Sequence, residues 1–338
     1  MNQNHLGLSI LRVQATFSVI IIHVSAPILG EYGKIPLFYW HVGNFFDGVS
    51  RYSVPVFFMI SGALLLNQNY PLKKFLKKRF VKVLPPFIFW SLVYSAVKRF
   101  VKGNEQFDFL LTTDKVIRDV FYGSEYHLWF VFVLMGIYLI TPVISRWVKN
   151  VPSSEVLFFL LVWLFTLIIK IPGIGIYFPK IDLIYFSGYI GYFVLGYYLL
   201  NLNLKIKWHI VLLYVFGVFV TVYGMFYFTE RNGKLFNYFY DFLSVNTLLV
   251  ATTLFLLVKD CSIQNKKIKR LIINISNCCF GVYLMHVLVL ELFNMLRYDW
   301  RIITPIISVP VVSISCFFVS IFIVYSIRKI KYGTLVTG

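Results

Sequence analysis

Ten stretches of the chain are apolar over about 20 residues each, enough to cross the roughly 30 Å hydrocarbon core of a bilayer. They run approximately over residues 8–29, 52–69, 82–99, 127–147, 154–171, 182–201, 208–228, 238–258, 271–291 and 303–327. The ten-residue alternation of a membrane β-barrel is absent. The pattern predicts an all-α, polytopic integral membrane protein of about ten transmembrane helices, with residues 1–338 forming a single transmembrane domain and no fused soluble domain. Composition agrees, since 59% hydrophobic against 14% charged residues does not suit a water-exposed surface. No Lys or Arg precedes the first apolar run and no small-residue cleavage site follows it, so residues 8–29 read as a retained helix rather than a signal peptide.

The basic residues set an expected orientation. With the N-terminus inside, eighteen of them fall in the inner loops: 70–82 (Lys73, Lys74, Lys77, Lys78, Arg79, Lys82), 146–150 (Arg146, Lys149), 205–207 (Lys205, Lys207), 259–270 and the C-terminal tail. Twelve fall outside, among them Lys34, Lys102, Lys180 and Arg301. The excess favours N-in, C-in. Twelve of the fourteen acids also fall outside, so the net charge of +18 is a cytoplasmic excess. Membrane topology accounts for it, and nucleic-acid binding is not needed. The longest external loop, about 100–126, is expected to lie over an external opening.

Polar residues inside the apolar runs mark candidate chemistry. The first helix carries Arg12 and His23, eleven residues apart, which places them on one face about 16 Å apart along the axis. Ser9 and Thr16 lie near the same line. An ionisable side chain in a membrane helix costs at least about 2.5–3.5 kcal/mol on insertion scales and usually faces a bundle interior or a wet cavity. Snorkelling of Arg12 and one interhelical hydrogen bond from His23 is the plainer alternative. The expected topology adds Asp47 and Arg51 at the outer end of the second helix, and His127 and Trp129 at the outer surface of the fourth. Tyr283, His286 and Glu291 fall in the outer half of the ninth. Three histidines on separate helices therefore reach similar depth, while Arg12, Lys78, Arg79 and Lys82 mark the opposite mouth.

Four cysteines show neither disulfide nor metal spacing and read as packing residues. The chain has no phosphate-binding loop, dinucleotide fingerprint or zinc-protease motif, and no metal is expected. A transporter or flippase for a glycan or small anionic solute could also use buried Arg and His residues. It would be expected to show inverted repeats and paired broken helices; only Pro85-Pro86 interrupts a helix.

Five segments in order carry a resemblance. "LRVQATFSVIIIHVS" (Leu11–Ser25), with its Arg-x10-His, "SVPVFFMISGALLL" (Ser53–Leu66), "KKRFVKVLPPFIFW" (Lys77–Trp90), "HLWFVFVLMGIYLITPVI" (His127–Ile144) and "GVYLMHVLVL" (Gly281–Leu290) are similar to the bacterial acyltransferase-3 family of integral membrane acyltransferases. The branch that O-acylates surface polysaccharides resembles them most. The resemblance implies a multi-pass protein of the bacterial plasma (inner) membrane, its partner the lipid bilayer. It implies a cytoplasmic acyl-CoA donor, acetyl-CoA in the first instance, and a glycan or lipid-linked saccharide acceptor outside. Arg79, Lys82, Lys78 and Arg12 would then meet the donor's phosphates, for which Arg is the better fork. His23 would act on the acceptor hydroxyl as general base or take up the acyl group as nucleophile. Arg51, Asp47, His127, Trp129, Tyr283, His286 and Glu291 would bind the acceptor. The family's Arg-x-x-Arg ahead of its third helix is here Arg79-Phe80-Val81-Lys82, in which lysine keeps the charge and loses the fork.

Overall fold

The computed structural model describes residues 4–68, 71–100, 109–179, 181–204 and 208–338, and among these there is no strand. Thirteen α-helices follow one another: α1 (Asn4–Gly30), α2 (Leu37–Ser50), α3 (Ser53–Leu65), α4 (Leu72–Phe100), α5 (Phe109–Tyr122), α6 (Trp129–Asn150) and α7 (Ser153–Ile169). After these come α8 (Ile190–Asn201), α9 (Trp208–Asn232), α10 (Val245–Val258), α11 (Lys266–Met295), α12 (Pro305–Lys329) and a last short turn, α13 (Thr334–Thr337). The protein is a polytopic helical membrane protein. Lys102, Lys180, Lys205 and Lys207 of the charge argument lie outside the described residues.

Of the ten expected spans, eight correspond to helical segments long and apolar enough to cross a bilayer, and two are shorter. Helix α7 has 17 residues. Helix α8 has 12, about 18 Å of rise against a core of roughly 30 Å. Residues 182–189 were expected to extend it, but they form irregular chain around a 3-10 turn at Ile184–Phe186. A short α8 is tolerated because protein, not lipid, surrounds it: Tyr192, Phe193 and Val194 are fully buried.

Backbone proximity fixes that burial. Helices α3 and α8 cross so closely that a Cβ on Gly62 would stand 1.7 Å from the Phe193 carbonyl oxygen, and one on Gly196 would stand 1.9 Å from that of Met59. Lipid tails are as apolar as leucine, so helix pairing in membranes relies on such small-residue contacts.

Other boundaries depart from expectation. The second span begins at Leu37, not 52, and runs through α2 and α3 with one break at Arg51–Tyr52. Asp47 and Arg51 therefore sit within a helical span rather than at its outer end. The basic run 73–82 is the first three turns of α4 rather than a loop, and Pro85 and Pro86 lie inside that continuous helix without ending it. Proline cannot donate to the carbonyl four residues back. For Pro86 that carbonyl belongs to Lys82, and a Cβ on Gly338 would lie 3.3 Å from it. Helix α13 is held against α4 there, with the Trp90 indole donating to the Val336 carbonyl at 2.9 Å. Part of the expected external loop is helix α5, whose Asp119 accepts from Ser95 (2.9 Å) and pairs with Arg99 (2.8 Å) on α4. Cys278, Cys279 and Cys316 are buried packing residues, as expected, whereas Cys261 is exposed.

Candidate active site

Helices α1 and α11 and the turn ahead of α6 bring the three predicted histidines together. The His23 ring stacks on that of His286 with centroids 5.1 Å apart, and lies 6.4 Å from His127. His127 and His286 are 5.1 Å apart, edge to face. His127 sits in a 3-10 turn, Tyr126–Leu128, just ahead of α6. That turn follows Gly123, whose φ of +90° is readily adopted only without a side chain.

Carbonyl oxygens only accept, so hydrogen bonds to them determine which ring nitrogen bears the proton in a neutral imidazole. His286 donates from Nδ1 to the Tyr283 carbonyl at 2.7 Å, and its buried Nε2 has no partner. His127 donates from Nε2 to the Leu284 carbonyl at 3.3 Å, and its buried Nδ1 has none. Two oriented imidazoles thus each present a bare lone pair inside the bundle. Both rings are buried. His23 is half-buried and is the most accessible of the three.

Two tyrosines brace the cluster. The Tyr283 hydroxyl donates to the His127 carbonyl, so this predicted acceptor-binding residue ties α11 to the turn that carries His127. The Tyr94 hydroxyl donates to the Leu284 carbonyl at 2.9 Å and accepts from Leu288 N–H at 3.2 Å. Those two groups lie one helical turn apart on α11. The same turn carries His286, and Tyr94 also packs 5.4 Å from His127. Tyr126, 61% exposed, places its ring 5.1 Å from His23 and forms the accessible wall of the cluster. Sequence reasoning missed Tyr94 and Tyr126. Tyr126 precedes a histidine already singled out; Tyr94 has no local signal in a helix of apolar and aromatic residues.

The predicted cations gather at the other end of α1. The Arg12 Nη1 donates to the Ser276 hydroxyl on α11 at 3.3 Å, and Thr16 returns its hydroxyl to the Arg12 carbonyl at 2.8 Å. Arg12, Lys78, Arg79 and Arg328 all lie within electrostatic range of Lys82. Arg328 was counted only as part of the tail. The Arg79 guanidinium lies 5.7 Å from the Phe75 ring, and its buried Nε has no partner. Five like charges with an unused guanidinium donor suit an anionic ligand.

The remaining candidates lie beside the histidines. Arg51 is paired with the fully buried Asp47, stacks on the Tyr240 ring at 4.2 Å and donates to the Tyr240 carbonyl at 3.3 Å. Trp129 stacks on Phe242 at 6.1 Å and packs against Tyr189 at 5.4 Å. Glu291, half-exposed, lies within electrostatic range of Tyr94 and Tyr126.

A helical membrane protein with an interior imidazole cluster at one end and clustered cations at the other is the class that fold and site define. The chain belongs to the acyltransferase-3 family: the family's sequence model, described as an acyltransferase domain, matches residues 5–325. It is 23% identical over 349 residues to a Bacillus subtilis (strain 168) protein named "Putative membrane-bound acyltransferase YfiQ", with 97% of this chain and 92% of that one covered. No solved structure matches it. The protein is a multi-pass membrane acyltransferase.

Proposed function

We propose that this acyltransferase moves an acyl group, acetyl in the first instance, from cytoplasmic acyl-CoA to a hydroxyl of an extracytoplasmic glycan, from within the bacterial plasma membrane. The observation that supports this most is the placement of both predicted chemistries on one face of α1. Arg12 belongs to the cationic end and His23 to the histidine cluster, about 16 Å away.

In this reading the cationic end faces the cytoplasm. Arg79, through its unused Nε, and Lys82, Lys78 and Arg12 hold the donor's phosphates, while the pantetheine arm extends along α1 toward the histidines. The most accessible imidazole, His23, takes the proton of the acceptor hydroxyl as the new carbon–oxygen bond forms at the thioester carbonyl. The carbon–sulfur bond then breaks, and the imidazolium returns its proton to the departing thiolate. His286, stacked on His23, and His127 keep that ring in place. Glu291 and Trp129 border the acceptor's approach.

A transporter reading loses its main support, because the family to which the chain belongs is one of acyltransferases. Labelled acetyl-CoA supplied to the purified protein separates the two: release of CoA with acyl loss marks the enzyme, and accumulation of intact substrate marks the transporter.

Replacing Arg79 with Gln is expected to raise the KM for acyl-CoA about tenfold, roughly one charge-assisted hydrogen bond, with little change in the KM for acceptor. An unchanged acyl-CoA KM would reduce the basic run to a topology signal. The orientation has its own test. In intact cells an impermeant thiol reagent should leave exposed Cys261 unlabelled while reaching a cysteine placed at exposed Tyr122, with Cys261 labelled only after permeabilisation. Labelling of both from the same side would remove the N-in, C-in assignment.

A further inference from the structure

Helix α3 keeps one accessible strip, and it faces the bundle interior. Of the 13 residues of α3, none is exposed and only Phe57, Ser61 and Leu64 are half-buried. At about 100° per residue those three share one side, opposite the side on which Met59 and Gly62 press against α8. There Phe57 meets the rings of Phe130 on α6, at 5.7 Å, and of Tyr283 on α11, at 6.3 Å. Phe130 and Tyr283 are themselves 5.2 Å apart, so three helices close on an aromatic triad.

The triad lies between the two ends of the site. On α11, Ser276 meets Arg12; Tyr283 follows about 10.5 Å further along the axis, and His286 about 4.5 Å after that. Helix α6 runs from His127 toward the cations, where its Tyr138 lies within electrostatic range of Arg12 and Arg79. Phe130, three residues after His127, is therefore on the cationic side of the histidines. The Tyr283 ring stands 5.8 Å from that of His127 and 5.9 Å from that of His286. Ser61 and Leu64 continue the strip toward the cations, since α3 ends where Ser145 of α6 donates to the Leu66 carbonyl at 3.1 Å.

We propose that Phe57 selects the acyl group: the triad is a constriction that passes a small uncharged group such as acetyl and rejects one bearing a carboxylate, such as succinyl. This rests on the acyl-transfer reading above and adds its acyl specificity. A donor whose phosphates stay with the cations sends its acyl end through first, so that end meets the triad before any histidine. Phe130 and Tyr283 are buried, which leaves Phe57 as the ring of the three with room to turn. Its turning opens a gap walled by aromatic carbon. The polar groups beside that gap are already committed, the Tyr283 hydroxyl to the His127 carbonyl and the Ser61 hydroxyl to the Phe57 carbonyl at 2.8 Å. A carboxylate entering it sheds water and gains no hydrogen bond in return. An acetyl group carries no charge, and the ethylene chain behind its thioester is no wider than its methyl.

Two thioethers of CoA that cannot transfer their tails separate charge from length: S-butyl-CoA and S-(3-carboxypropyl)-CoA. Binding of each is measured on the full chain in lipid nanodiscs. Wild-type protein should bind the butyl compound about tenfold more tightly or better. Phe57→Ala, which removes the ring, should bring the two within about threefold. Phe57→Leu should fall between, which guards against misfolding of the first variant. With substrates, the ratio of kcat/KM for acetyl-CoA to that for succinyl-CoA should fall about tenfold in Phe57→Ala. Equal binding of both thioethers by the wild type, or an unchanged preference in both variants, would overturn the constriction and leave the donor reading standing. Thioether binding needs no turnover, so the expected preference in a protein that transfers no acyl group would count against acyl transfer and not against Phe57.

Discussion

His23→Ala is expected to lower acyl transfer by about 10²–10⁴-fold, the usual contribution of a positioned general base, while the protein still inserts, folds and binds acyl-CoA. A sugar hydroxyl is a poor nucleophile at neutral pH, so removal of the group that accepts its proton falls on kcat rather than on the KM for the donor. The side chain is half-buried and among the described residues no hydrogen bond depends on its ring, so size-exclusion behaviour and thermal unfolding should change little. His127 and His286 differ in that respect. Each donates to a carbonyl of α11, and truncation removes that hydrogen bond, about 0.5–1.5 kcal/mol, together with the buried packing of the ring. Their alanine variants should lose stability as well as activity, with the smaller loss in turnover. Near-normal turnover in His23→Ala, with collapse in His286→Ala or His127→Ala, would move the base one layer deeper into the cluster.

Gly196→Ala should prevent assembly of the bundle, although it adds one methyl group. The added carbon would lie 1.9 Å from the Met59 carbonyl oxygen, which belongs to backbone and cannot rotate away. Helices α3 and α8 would have to part by more than 1 Å along a contact that Gly62 makes equally close from the other side. Overpacking of a well-filled core costs about 1–3 kcal/mol even where side chains can yield, and here they cannot. Loss of monodisperse protein in detergent, or a large fall in Tm, is the expected readout. Gly136→Ala is the control: no atom lies within 4 Å of the added carbon, and relief of glycine's helix penalty, about 0.5–1 kcal/mol, should leave Tm unchanged or raise it. Equal behaviour of the two variants would remove the close approach as the organising contact.

Much of this arrangement was legible in the chain because hydrocarbon sorts residues by polarity. Seven of the eight long spans follow from apolar run length alone, and the second follows in its latter part. Arg12 and His23 were marked by their cost in a membrane helix, and His127 and His286 by their similar depth. Other features depend on information that a local window lacks. Helix α8 is as apolar as its neighbours, and only its glycine contacts with α3 show that protein, not lipid, surrounds it. The second span starts at Leu37 because α2 packs Asn44 and Asp47 inward: Asn44 donates to the Val222 carbonyl at 2.9 Å, and Asp47 pairs with Arg51. Polar groups satisfied across helices make a segment look less apolar than its surroundings. Pro85 and Pro86 read as a break, yet α4 carries them through. Tyr94 escaped notice because its function depends on a hydroxyl placed between two backbone groups of another helix.

The central claim is that an acyl group enters at the cationic end of α1 and leaves at the histidine end. Proteoliposomes with the protein in one orientation test it directly, with acetyl-labelled CoA supplied only on the side of Arg79 and Lys82 and a lipid-linked saccharide accessible only on the side of His23. The account predicts labelled acetyl on the acceptor, an equal amount of free CoA thiol on the donor side, and loss of both products in His23→Ala. Intact acetyl-CoA accumulating in the opposite compartment, or acetylation only when donor and acceptor share the His23 side, would contradict it.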